Sequence, residues 1–106
     1  RFAKIGGEMI SLDIIEQSAH SLWEDASHAA MSVSNGEGES IALITDQQDA
    51  GQDQFSKYVK DNDLDRKTIP KHFVIVDDLP LLPMGTPDYQ KIRDIVRDEL
   101  DAEPKT

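Results

Sequence analysis

The sequence predicts an α+β fold, a small mixed sheet with an N-terminal β-hairpin and about three packed helices. Three features carry that expectation. Apolar residues recur at helical spacing in separate stretches, short apolar runs are bounded by turn residues, and the two kinds of segment mix along one short chain. The order reads extended pair, helix, strand, strand, helix, strand, loop, helix.

Phe2 to Ser11 reads as extended chain, broken at Gly6-Gly7. Leu12 to Trp23 is the clearest helix: Ile15, Ala19, Leu22 and Trp23 fall on one apolar face, which places Trp23 in the core. Ser11 is its expected N-cap, and Asp13 suits the first turn. His28 to Val33 and Ser40 to Thr45 read as a strand pair around a turn at Ser34-Asn35-Gly36-Glu37-Gly38-Glu39. Asp46 to Asp53 reads as polar linker and Gln54 to Asn62 as a short helix, with Phe55, Tyr58 and Val59 inward. After a turn at Ile69-Pro70, His72 to Val76 is a third strand. Leu79 to Pro87 holds three prolines and a glycine and reads as an exposed loop. Thr86, Pro87 or Asp88 starts the last helix, whose Tyr89, Ile92, Ile95 and Val96 face inward, and the tail from Asp101 is expected to fray.

A chain of 106 residues fits one domain with one modest core. It starts on Arg1 without a Met, so we expect a piece of a longer protein that carries only part of a function. A formal charge of -10, from 21 acidic and 11 basic residues, disfavours a nucleic-acid surface and an anionic membrane surface. With no Cys there is no disulfide, thiolate zinc site or cysteine nucleophile, and the composition suits a cytoplasmic protein. His20, His28 and His72 lack ligand spacing, Asp77-Asp78 reads as a strand end entering a loop, and no metal site is expected.

Two segments at opposite ends of the chain resemble one family. Arg1 to Glu16 looks like the start of the C-terminal domain of the adenylate-forming enzymes. These include acyl-CoA synthetases, peptide-synthetase adenylation domains and luciferases. Lys4, Gly7, Ile10, Ile15 and Glu16 match that family's Ile-Lys-x-x-Gly-x-x-Ile-x-x-x-x-Ile-Glu pattern, with Ala3 in place of the first Ile. Ile69-Pro70-Lys71, the strand after it, Leu79-Pro80 and Gly85-Thr86 resemble the family's closing Val-Pro-Arg, strand, Leu-Pro, loop, Gly-Lys. Gly38-Glu39 matches a Gly-Glu before the family's second central strand. Within the family, the segments Phe2 to Leu12 and Pro80 to Tyr89 look closest to a branch that charges acyl carrier protein.

The resemblance implies a two-step ligase reaction. A large N-terminal adenylation domain binds ATP, Mg2+ and a fatty acid and makes an acyl-adenylate. The small domain then swings about a hinge placed just before Arg1, and the thiol of acyl carrier protein or coenzyme A takes the acyl group. The small domain itself binds none of the cofactors and is expected to be inactive alone. An acidic carrier protein would need a local basic patch, and Arg66-Lys67 with Lys71 is the candidate.

The resemblance also singles out residues. Thr86 stands where the family has a lysine that reaches the carboxylate and the ATP phosphate, a charge suited to two approaching anions. Thr86 is short and neutral, so four readings stand: a degenerate site, an engineered substitution, a Lys supplied from elsewhere, or a plain turn and N-cap at Gly85-Thr86-Pro87. Gly6-Gly7 is either a β-bulge or tight turn, or a place where a pantetheine arm passes close to the backbone. Lys4 and Glu8 flank it, as pantetheine-facing residues or as solvated ones.

Overall fold

The computed structural model describes residues 1–34 and 36–105; Asn35, in the expected turn, lies outside them. Strands β1 (Phe2–Ile5) and β2 (Glu8–Ser11) form an antiparallel hairpin of their own. Helix α1 (Leu12–Leu22) follows at once, and the Ser11 hydroxyl accepts from the Ile14 amide at 3.3 Å as the N-cap. The main sheet has the order β5-β4-β3-β6. In it β3 (His28–Ser34) and β4 (Glu39–Thr45) are antiparallel, while β5 (His72–Ile75) runs parallel to β4. A parallel neighbour needs a crossover, and helix α2 (Gln52–Asp61) with a short 3-10 helix (Arg66–Thr68) supplies it. Helix α3 (Tyr89–Leu100) closes the fold.

The central strands are buried on both faces, which is why they read as near-continuous apolar runs. Ala30, Ile41 and Leu43 face the hairpin, α1 and α2, where Ala3, Ile10, Ile15, Trp23 and Phe55 meet them. Ala29, Met31, Val33, Ala42, Ile44 and Val74 face the other way, onto Leu79 and onto Ile92 and Val96 of α3. Trp23 sits among Phe55, Phe73 and His28, with ring centroids 6.0–6.5 Å away.

Three segments differ from expectation. Helix α2 begins at Gln52, two residues early, because its N-cap Gly51 has no side chain to announce it. Leu79, assigned to an exposed loop, is buried in the α3 side of the core. The tail does not fray: Glu103–Pro104 forms β6 against Val33 and Ser34, and the Lys105 amide donates to the Ser32 carbonyl at 2.7 Å. Pro104 is buried there.

Candidate functional site

The hairpin turn comes first. Register runs unbroken from Phe2↔Ser11 to Ile5↔Glu8, so Gly6-Gly7 is a two-residue turn and not a bulge. Both glycines have positive φ, +58° and +83°, which a type I′ turn demands. Packing does not demand them: a Cβ on Gly7 would meet nothing within 4 Å, and one on Gly6 would meet only the Lys67 Cε at 3.6 Å. The backbone at the tip is thus open to close approach from outside. Glu8 does not face solvent alone; its Oε1 takes an ion pair from Lys67 Nζ at 2.6 Å. That bond holds the Lys67 ammonium above its ordinary pKa. Since Ala3 and Ile10 point inward, their neighbours Phe2, Lys4 and Met9 share the exposed outer face of the hairpin.

Glu39, part of the matched Gly-Glu pair, braces this hairpin to the sheet. Its Oε1 accepts from the Ser32 hydroxyl at 2.6 Å and from the Lys4 amide at 3.2 Å. The Ser32 bond first, then the Lys4 bond, holds its carboxyl below the usual range.

Gly85 and Thr86 lie on a second hairpin-like loop. Leu82 donates to the Thr86 carbonyl at 2.7 Å and Gly85 to the Leu82 carbonyl at 2.8 Å. Leu81 is bridged to Pro87. Pro83-Met84-Gly85 is therefore a three-residue loop with Gly85, at φ +93°, in the left-handed position that such a loop gives to glycine. Asp88, not Thr86, caps α3, accepting from the Lys91 amide at 3.3 Å. The Thr86 side chain is left exposed, with the apolar tip residues Leu81, Leu82 and Met84 around it. Behind the loop, Leu81, Gly85 and Pro87 line a hollow with Glu16, His20 and His28.

Lys4, Gly6, Gly7 and Glu8 are therefore together on one hairpin, and Gly85 and Thr86 stand apart on another. The hairpin turn meets Lys67, whereas the loop meets α1, so the two candidate segments present separate surfaces.

A polar cluster that sequence reasoning did not assemble sits between them. Glu16 Oε2 accepts from the Tyr89 hydroxyl at 2.7 Å, the Ala30 amide at 2.8 Å and Arg1 Nη1 at 3.2 Å. Arg1 Nη2 donates to the Ala30 carbonyl at 2.6 Å, and its guanidinium lies 4.3 Å from the Tyr89 ring centroid. Burial, then the Glu16 bond, pushes the Tyr89 hydroxyl well above its ordinary pKa, so it stays a donor. Glu16 was matched as part of a motif, but its partners are 14, 15 and 73 residues away in sequence and no local pattern announces them.

His28 is buried and fully paired. Nε2 faces the Trp23 carbonyl at 2.9 Å, which can only accept, so Nε2 carries the proton and Nδ1 accepts from the Thr45 hydroxyl at 2.8 Å. Desolvation lowers its pKa, outweighing the opposing pull of the Trp23 carbonyl. It is a core histidine. Among the described residues, no group of three or more His or acidic side chains is placed to hold a metal ion. Among the same residues, no helix is long and apolar enough to cross a membrane.

The same architecture recurs as one part of several larger solved structures. The Mycobacterium tuberculosis fatty acyl CoA synthetase superposes with TM-score 0.71 at 22% identity, over 89% of this chain and 19% of that one. ATP-bound MatB from Rhodopseudomonas palustris gives 0.70 at 21%, over 92% and 20%. The amide bond synthetase McbA from Marinactinospora thermotolerans gives 0.69 at 20%, over 89% and 20%. The chain thus spans about a fifth of the length of the structures it resembles. At these identities the likeness is one of fold. No protein-family model matches the sequence.

Proposed function

We propose that this chain is the mobile C-terminal domain of an ATP-dependent fatty acyl ligase. It serves acyl-adenylate formation with one face and thioester transfer with another. The observation that carries the reading is the Gly6-Gly7 tip: two glycines in a type I′ turn, open on the outside, within a fold whose solved likenesses include a fatty acyl CoA synthetase. A pantetheine arm passing over that tip would meet backbone and no Cβ. The motifs point to the bifunctional acyl-[acyl carrier protein] synthetase / 2-acylglycerophosphoethanolamine acyltransferase branch, with acyl carrier protein or coenzyme A as acceptor. Nucleotide, Mg2+ and the acyl pocket belong, on this reading, to the adenylation domain of the parent chain. What this chain supplies is the turn, its flanking Lys4 and Glu8, and the exposed Gly85-Thr86 loop.

Thr86 favours a second reading, a lid domain that has lost its chemistry and binds a carrier protein or other partner. Its side chain is exposed and neutral, and Gly85 is already explained by the loop geometry. One experiment separates the two. In the parent protein, Thr86→Lys is assayed by pyrophosphate exchange with a fatty acid. A restored lysine contact is worth about two to three orders of magnitude in rate, so a gain of that size marks a disabled ligase lid. No change means the position is not used in adenylation. Acyl-adenylate formation by the 106-residue chain alone would refute both readings.

A further inference from the structure

The N-terminal hairpin is joined to the fold by more than its apolar face. Ala3 and Ile10 bury it against the sheet, but apolar contact is non-directional and fixes the tilt of the turn poorly. Two polar ties set that tilt. Ile5 and Glu8 flank the two-residue turn as a hydrogen-bonded pair, so Lys4, one position further out, aims its N–H away from β2. Glu39, the first residue of β4, meets that N–H with Oε1 at 3.2 Å. The same oxygen is held at 2.6 Å by the hydroxyl of Ser32, which has no solvent exposure and shares the hairpin-facing side of β3 with Ala30. The second tie is Lys67 Nζ on Glu8 Oε1, on the other arm of the turn. Of the expected basic patch Arg66-Lys67-Lys71, Lys67 is therefore engaged within the chain, with Asp65 nearby, and does not stand free for a partner.

We propose that Glu39 is a positioning residue for the thiol-transfer step: by tying β1 to the buried Ser32 it fixes where the Gly6-Gly7 backbone stands, and with it the path of the thiol-bearing arm. This deepens the ligase reading given above and rests on it. In that step the thiol sulfur bonds to the acyl carbonyl carbon and the carbon–oxygen bond to the adenylate phosphate breaks. AMP leaves with that electron pair, and the thiol proton passes to solvent. Glu39 touches none of the reacting atoms. It acts through Lys4 and Ile5, which link its hydrogen bond to Gly6. An arm lying on open backbone has no side chain at Gly6-Gly7 to guide it, so its placement depends on where that backbone is held. The Gly85-Thr86 loop sits against α1 instead, so a change at Glu39 acts on one surface and spares the other.

The test uses the parent protein, supplied with a synthetic fatty acyl-adenylate so that the adenylation step is bypassed. Coenzyme A and holo acyl carrier protein serve in turn as the thiol, and the KM of each reactant is read separately. Glu39→Ala should raise the thiol KM at least about tenfold and leave the acyl-adenylate KM within about twofold, because misplacement by about 1 Å is costly only for the reactant that is misplaced. Glu39→Gln keeps an acceptor oxygen for both donors and should stay within about threefold of the parent. Ser32→Ala removes the hydroxyl without leaving a buried donor orphaned, which guards against loss of fold, and should fall between the two. A fall in kcat with both KM values unchanged is what a smaller folded fraction gives, and it would overturn the proposal. Equal rises in the two KM values, or a Gln variant as damaged as the Ala one, would do the same. Transfer by the unaltered parent that Glu39→Ala matches removes the role of Glu39 and leaves the ligase reading standing. If the unaltered parent transfers the acyl group to neither thiol, the ligase reading falls and takes this role with it.

Discussion

Replacing Glu16 by Ala tests the polar cluster that ties the hairpin, α1, β3 and α3 together. The carboxylate accepts three donors, of which the Ala30 amide belongs to a residue with no solvent exposure. Orphaning that amide costs about 1–3 kcal/mol, and loss of the charged acceptor for the half-buried Tyr89 hydroxyl adds about 1 kcal/mol. The Arg1 pair, 30% and 20% exposed on its two sides, adds less than about 1 kcal/mol after solvent screening. The sum is about 2–4 kcal/mol, a large part of the stability of a domain this size. At roughly 4 °C or more per kcal/mol, Tm should fall by at least about 8 °C. Glu16→Gln keeps one acceptor oxygen and should lose about half as much. Calorimetry reads the Tm, and hydrogen exchange reads the Ala30 amide, which should lose protection in Glu16→Ala before its neighbours in β4. A Tm within about 2 °C of the parent value, with Ala30 still protected, would refute the cluster as a structural bond set.

Two further outcomes follow from the same geometry. Gly85→Ala forces a Cβ into the left-handed region at φ +93°, and although open space surrounds it, urea unfolding should show a loss of about 1–2 kcal/mol with exchange rising first in residues 80–88. For His28 the folded pKa lies below the ordinary 6.5, so the unfolded chain takes up a proton first as pH falls. Its stabilising contribution is therefore complete above pH 6.5 and is lost progressively below it. His72, lowered by burial and then by Lys71, acts in the same direction. Stability measured by denaturant at descending pH should decline from pH 6.5, and His28→Asn should flatten that slope while lowering stability throughout; a variant with the unchanged slope would refute the assignment.

Much of the fold was legible because its signals are local. Ile15 and Ala19, or Ile92 and Val96, announce a helix face within one or two turns, and both pairs are buried. The runs His28 to Val33 and Ser40 to Thr45 are apolar on both faces of their strands, and they became the centre of the sheet. What escaped depends on contacts distant in sequence. Nothing in Glu103-Pro104 favours a strand, and β6 forms because β3 offers it an edge. The 3-10 helix at Arg66–Thr68 is too short to show a period; Asp65 Oδ1, accepting from the Lys67 amide at 2.8 Å, fixes it. The candidate site divides the same way. Gly6-Gly7 and Gly85 were visible as turn glycines, and the Arg66-Lys67-Lys71 cluster was visible because its members are neighbours in sequence. Lys60 joined that cluster through folding, and the partners of Glu16 and Glu39 came from other elements.

The short strand β6 has one more consequence. A sheet that ends on a bare strand offers its row of unpaired amides and carbonyls as a template for a second molecule, the usual first step toward fibrous stacking. Here β3 would be such a template. Its far end is covered by two residues, one of them a proline with no N–H to extend the ladder, and nearer its start Arg1 and Glu16 occupy the carbonyl and amide of Ala30. Removing the last few residues should therefore cost little of the core yet turn a self-contained molecule into one that polymerises on standing.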